Sequence, residues 1–151
     1  MTRLGRILVP VSRGGASRAG LDEAIRIATR HHAVLRLVHV IDECLSEAGD
    51  PDFAGTPSEA IELIALAGAR VLHDAQAIAR RVRVGCYTVL CDPADGPIAE
   101  QVARQARDWG ADLVVMGVDA SKTDSLGDDM RRRLPPPLMT VRWWPTMVNH
   151  G

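Results

Sequence analysis

The sequence predicts an α/β fold: a parallel, doubly wound sheet with helices on both faces. Three observations carry that prediction. Short apolar runs at residues 6–11, 34–41 and 112–117 alternate with longer segments whose apolar residues recur at helical spacing. Val114-Val115 stands at the centre of a continuous apolar run bounded by Ala111-Asp112 and Gly117, as suits a strand covered on both faces. Strands that alternate with helices need right-handed crossovers, and those make the sheet parallel.

The elements follow in order. Residues 6–11, Arg-Ile-Leu-Val-Pro-Val, form a first strand that ends in the loop Ser12-Arg13-Gly14-Gly15-Ala16-Ser17. Leu21, Ala24, Ile25 and Ala28 repeat at helical spacing, with Ser17 placed as N-cap, and this helix closes near His31-His32. Residues 34–41 are the second strand. A polar, acidic excursion of 15 residues, 42–56, follows, and loops of that length in compact domains are usually functional or disordered. Thr56-Pro57-Ser58-Glu59 then sets a strong helix start, with Thr as N-cap, Pro in the first turn and Glu completing a capping box.

Ile61, Ile64, Gly68, Val71, Leu72, Ala75 and Ile78 are expected to line one face of this long helix, and the small residues Ala65, Gly68 and Ala75 allow close approach to a sheet. Residues 84–90 are the third strand. Asp92 to Pro97 make a turn and another N-cap, opening a helix striped by Ile98, Val102, Ala106 and Trp109. The fourth strand spans 112–117, a short helix 125–133 and the last strand 138–143. Pro135-Pro136-Pro137 forbids helix continuation before that strand.

A chain of 151 residues is one domain, with no repeats and a tail from about residue 144. Hydrophobic residues make up 46% and charged residues 25%, with a net charge of −1, so nothing pulls the molecule toward nucleic acid or an anionic membrane. No apolar stretch approaches the ~20 residues of a membrane span, and the N-terminus lacks a signal-peptide apolar region. Cys44, Cys86 and Cys91 lack CxxC spacing and read as free thiols of a reducing cytoplasm.

At this level the residues resemble the universal stress protein family over residues 6–142. The resemblance rests on Ile7-Leu8-Val9-Pro10-Val11, on Leu37-Val38-His39-Val40, on Asp92-Pro93-Ala94, and on Gly110-Ala111-Asp112-Leu113-Val114-Val115-Met116-Gly117, in that order and spacing. It implies five strands in the order 3-2-1-4-5, usually a homodimer and, in one branch, ATP held at the ends of the first and fourth strands. That branch carries G-x-x-G, nine residues, then G-[ST], a cradle in which glycines let backbone N–H groups approach phosphate at a helix N-terminus.

Here Gly117 matches, but Ala120 takes the second position, and Met130-Arg131 stand where G-[ST] is due. The nearest substitutes, Asp124-Ser125 and Gly127-Asp128, put a carboxylate where phosphate should lie. Family members that bind nucleotide have an acidic residue after Val-Pro-Val, whereas this chain has Ser12. Hydrogen bonds to a charged acceptor are worth ~1.5–3 kcal/mol each, so losing two or three costs roughly 3–9 kcal/mol. A micromolar site then becomes millimolar or worse, unless Lys122 or Arg131-Arg132-Arg133 compensate.

The favoured reading is a non-enzymatic stress-response binding or regulatory module, cytoplasmic and dimeric, that does not bind ATP tightly. One alternative is an ATP-binding member with a rearranged phosphate loop. Another is an ATP pyrophosphatase of the PP-loop type, since residues 12–17 resemble that family's S-G-G-x-D-S loop, with an extra Arg and without the Asp. A glycine turn explains the same residues more simply. Asp42, Glu43, Glu47, Asp50 and Asp52 lack the spacing of a calcium loop. His31, His32, His39 and His73 are not spaced as metal ligands, and no Ser/His/Asp or Cys/His arrangement marks catalysis.

Ligands of open parallel sheets sit beyond the carboxyl ends of the strands, where the winding reverses. The candidate site is therefore Pro10, Val11, Ser12, Val40, Met116, Gly117, Ala120 and Ser125, within or beside the loop from Gly117 to Leu126. No cofactor is fixed by these residues; ATP or another adenine nucleotide is the candidate that the resemblance supplies. The homodimer is expected through Leu138, Met139, Thr140, Val141, Arg142 and Trp143, an edge strand with Trp143-Trp144 as anchors. The sequence names no other protein partner.

Overall fold

Odd and even residues of the central strands go to opposite faces of one sheet, and two hydrophobic cores result. The computed structural model describes residues 4–41 and 55–145. Its elements are β1 (Arg6–Pro10), α1 (Gly15–His31), β2 (Val34–Val40), α2 (Pro57–Arg81), β3 (Cys86–Cys91), α3 (Ile98–Trp109), β4 (Leu113–Asp119), α4 (Ser125–Arg133) and β5 (Leu138–Trp143). The five strands are ordered β3-β2-β1-β4-β5, and every adjacent pair is parallel. This is the doubly wound α/β architecture expected from the sequence.

Ile7, Val9, Leu35, Leu37 and Val115 face α1 and α2, where Leu21, Ala24, Leu72 and Ala75 meet them. Leu8, Val38, Val114 and Met116 face α3 and α4, where Val102, Ala106 and Met130 close the second core. Each of the large side chains so buried contributes about 1.5–3 kcal/mol. At the foot of the second core the Trp109 ring lies 5.0 Å from the Arg36 guanidinium and 5.9 Å from that of Arg6. Among the described residues no helix is long and apolar enough to cross a membrane.

The start of α2 follows the sequence closely. Thr56 Oγ1 accepts from the Glu59 N–H at 3.1 Å, and the Glu59 carboxylate accepts from the Thr56 N–H at 3.2 Å. This reciprocal box satisfies two of the donors that every helix start leaves open.

Other local expectations are corrected. Ser17 is not the N-cap of α1: the helix begins at Gly15, and Gly14, at φ 105°, turns the chain into it. Ser17 Oγ instead accepts from the Ser12 N–H at 2.8 Å, closing the loop on itself. Asp92 caps a single 3-10 turn, Pro93–Asp95, by accepting from the Ala94 N–H, while Pro97 precedes α3 without a side-chain cap. β3 lies slightly later than expected, and β4 runs on to Asp119. Ile61 is not on the inner face of α2 but 62% exposed, because Ala60, one residue earlier, takes the inward position. The acidic excursion, Cys44 and the carboxylates considered for calcium lie outside the described residues, apart from Gly55 and Thr56 at its end.

Candidate functional site

The sheet reverses its winding between β1 and β4, which pair with each other while their following helices pack on opposite faces. Beyond the carboxyl ends of β1, β2 and β4 lies a crevice of about 450 Å³. That volume suits a small organic ligand. Pro10, Val11 and Ser12 form its floor, with Val38, His39, Val40 and Ile41 beside them. The second wall is α2, through Leu63, Ile64, Ala67, Gly68 and Val71, and Ile98, Val102, Met116, Gly117 and Leu126 close the far side.

Backbone geometry fixes the floor. The Val11 N–H donates to the Val38 carbonyl at 2.8 Å, extending the β1–β2 ladder by one bond past the strand. His39 Nδ1 lies 2.8 Å from the Val11 carbonyl oxygen. A carbonyl can only accept, so Nδ1 carries the hydrogen and Nε2 is the acceptor of the neutral ring. The imidazole has room because α2 presents Gly68 to it: a Cβ there would stand 2.9 Å from His39 Cδ2 and 3.3 Å from Nε2. The small residues of α2 thus admit an imidazole as well as the sheet.

The loop after β4 is closed by its own carboxylates. Asp119 accepts from both the N–H and the hydroxyl of Ser121. The Ser121 hydroxyl is the main cause that holds the Asp119 carboxyl below its ordinary range. Asp124 Oδ1 accepts from the Gly127 N–H at 2.8 Å and so caps α4. Arg131 reaches Asp128 at 3.0 Å and Asp124 at 3.9 Å, and Arg133 reaches Asp129 at 3.0 Å. Arg133 is the first cause that lowers the Asp129 pKa, so that carboxylate stays ionised. The arginine run therefore neutralises acids of its own helix.

Gly117 has a packing role besides its place in the crevice lining. A Cβ there would overlap the Ala16 carbonyl of α1 and stand 3.0 Å from the Gly20 nitrogen. Its missing side chain is what lets α1 dock.

Of the residues named from the sequence, Pro10, Val11, Ser12, Val40, Met116 and Gly117 line the crevice. Ala120 and Ser125 do not: the Ala120 N–H donates to the Trp143 carbonyl at 2.8 Å, and Ser125 begins α4. The α2 wall and His39 are not among the site residues expected from the sequence, and Arg13 and Ser17 enter there only through the PP-loop alternative for residues 12–17. The small pair Ala67-Gly68 was the available signal for the wall.

The model of the universal stress protein family matches residues 4–126. No curated protein matches the chain. Among solved structures, a protein of that family from Burkholderia pseudomallei is 30% identical, with a TM-score of 0.74 over 93% of this chain and 98% of the other. The universal stress protein UspA from Lactobacillus plantarum is 23% identical, with a TM-score of 0.65 over 94% of this chain and 100% of the other. A universal stress protein family protein from Arabidopsis thaliana, solved with AMP bound, shares the fold at 12% identity, with a TM-score of 0.69 over 91% of each chain.

Proposed function

Because this chain belongs to the universal stress protein family, we propose that it is a non-enzymatic stress-response binding module whose ligand sits in the crevice beyond β1, β2 and β4. The observation that carries this reading is the crevice itself: about 450 Å³, largely apolar, at the reversal point of the sheet. An adenine nucleotide is the ligand class of choice, by analogy with the AMP complex of the Arabidopsis relative. Apolar walls suit a base, while Nε2 of His39 offers a polar contact.

ATP held in the triphosphate-cradle mode is disfavoured. The N–H groups of Ser121 and Gly127, which could have met phosphate, are already bonded to Asp119 and Asp124. Bringing a triphosphate there sets like charges together and offers few free donors in return. The test is to release any co-purified nucleotide by denaturation and to titrate the protein with ATP, AMP and other adenylates, following Trp fluorescence. Saturable binding of an adenylate supports the reading. Indifference to every adenylate removes the ligand class.

We also assign a homodimer through β5, supported by its place at the sheet edge and by Met139 and Trp144, 39% and 61% exposed. An unpaired strand edge invites a second copy, and a two-fold axis satisfies both edges with one surface. Trp143 contributes less than the sequence suggests, because its ring lies against Gly15 of its own α1. A cytoplasmic location fits the free thiols of Cys86 and Cys91.

A further inference from the structure

The crevice is asymmetric in charge. Among the described residues, Arg13 is the sole arginine that lines it, no lysine, aspartate or glutamate does, and the remaining polar side chains are Ser12, Ser17 and His39. Arg13 enters no ion pair among the described residues. Ser17 Oγ already accepts from the Ser12 N–H, so its own hydroxyl hydrogen is left to donate. On the other rim, after β4, the Ser121 and Gly127 N–H groups are turned inward onto Asp119 and Asp124.

We propose that the ligand's anionic group is taken by the β1–α1 loop, with Arg13 as the specificity-determining residue, and not by the loop after β4. The inference rests on the reading that an adenine-type ring occupies the crevice. A guanidinium matches phosphate or carboxylate with two parallel N–H donors, and such charge-assisted bonds are stronger than neutral ones. One anionic group on Arg13 and Ser17 uses the donors that the crevice offers. Further phosphates gain little, because on the second rim the Ser121 and Gly127 N–H groups are already bonded to Asp119 and Asp124. The site thus favours a nucleoside monophosphate, or a ligand of similar shape with one acidic group, over a triphosphate.

The experiment is calorimetric titration of the full chain with adenosine, AMP and ATP, at low and at physiological ionic strength. Three proteins are compared: wild type, Arg13→Gln and Asp124→Ser. AMP is expected to bind wild type about tenfold more tightly than adenosine, the worth of one charge-assisted hydrogen bond. ATP is expected to do no better than AMP. Salt should erode the AMP advantage, since Arg13 is exposed. Arg13→Gln should bring AMP down to the affinity of adenosine and leave adenosine unchanged, whereas Asp124→Ser should leave the ratio of AMP to adenosine as it was.

If wild type fails to bind adenosine and AMP alike, the nucleotide reading fails and this inference falls with it. If adenosine binds but Arg13→Gln preserves the AMP advantage, the assignment to Arg13 alone is overturned. A rise in ATP affinity above that of AMP in wild type would return the anion to the loop after β4.

Discussion

Gly20 of α1 and Gly117 of β4 stand back to back, and the helix rests on the strand with no side chain between them. A Cβ on Gly117 would stand 3.0 Å from the Gly20 nitrogen, and one on Gly20 would stand 3.0 Å from the Gly117 Cα. Gly117→Ala is therefore expected to destabilise the fold by about 1–3 kcal/mol, the usual cost of overpacking. Gly20→Ala should cost a similar amount, and the double variant less than the sum, because both fill one gap. Urea denaturation of the three variants decides it; an unchanged midpoint for Gly117→Ala would show that α1 can move away freely. Gly117→Val is a poor probe of ligand binding for the same reason.

The capping box of α2 gives a second measurement. Thr56→Ala removes the acceptor of the Glu59 N–H and should cost about 1 kcal/mol. Thr56→Ser should retain most of that, and equal midpoints for the alanine and serine variants would mean that the box carries no energy.

ATP affinity is expected to be weak. Calorimetry at physiological salt should give a Kd no tighter than about 100 μM, or roughly −5.5 kcal/mol. A low-micromolar value would mean that Lys122, Ser125 or the arginine run moves to rebuild a cradle.

The β5 interface is checked by oligomeric state. Light scattering at about 100 μM should show a dimer, since stable association needs micromolar affinity or better. Val141→Pro should yield monomer or aggregate with an α/β circular dichroism spectrum. A wild-type monomer would dispose of the interface.

Cys86 offers a pH signature. Burial is the main cause that raises its thiol from 9.0 to about 11, against a smaller lowering by Arg80. The raised value means that the folded state keeps a proton which the unfolded chain releases first. Its contribution to stability is thus complete below pH 9, declines between about 9 and 11, and is lost above that. Cys86→Ser should flatten the decline, and thiol alkylation of the folded protein at neutral pH should be far slower than in urea.

The strands, the helices and the parallel sheet were legible in the sequence because each follows from a local pattern. Continuous apolar runs such as Val114-Val115 make buried strands, and Thr56 with Glu59 makes a helix start within four residues of chain. The strand order could be anticipated only through a family resemblance, because periodicity says nothing of which strands are neighbours. What local signals could not decide was how distant pieces share space. Ser17 reads as a cap in the sequence but takes the Ser12 N–H as partner in the fold, and no local pattern shows that Gly117 also makes room for α1. The α2 wall of the crevice, and Arg13 at its mouth, come from residues far apart in the chain. Their meeting depends on packing distances of a few ångströms, a quantity that no single segment encodes and that only the assembled sheet and helices set.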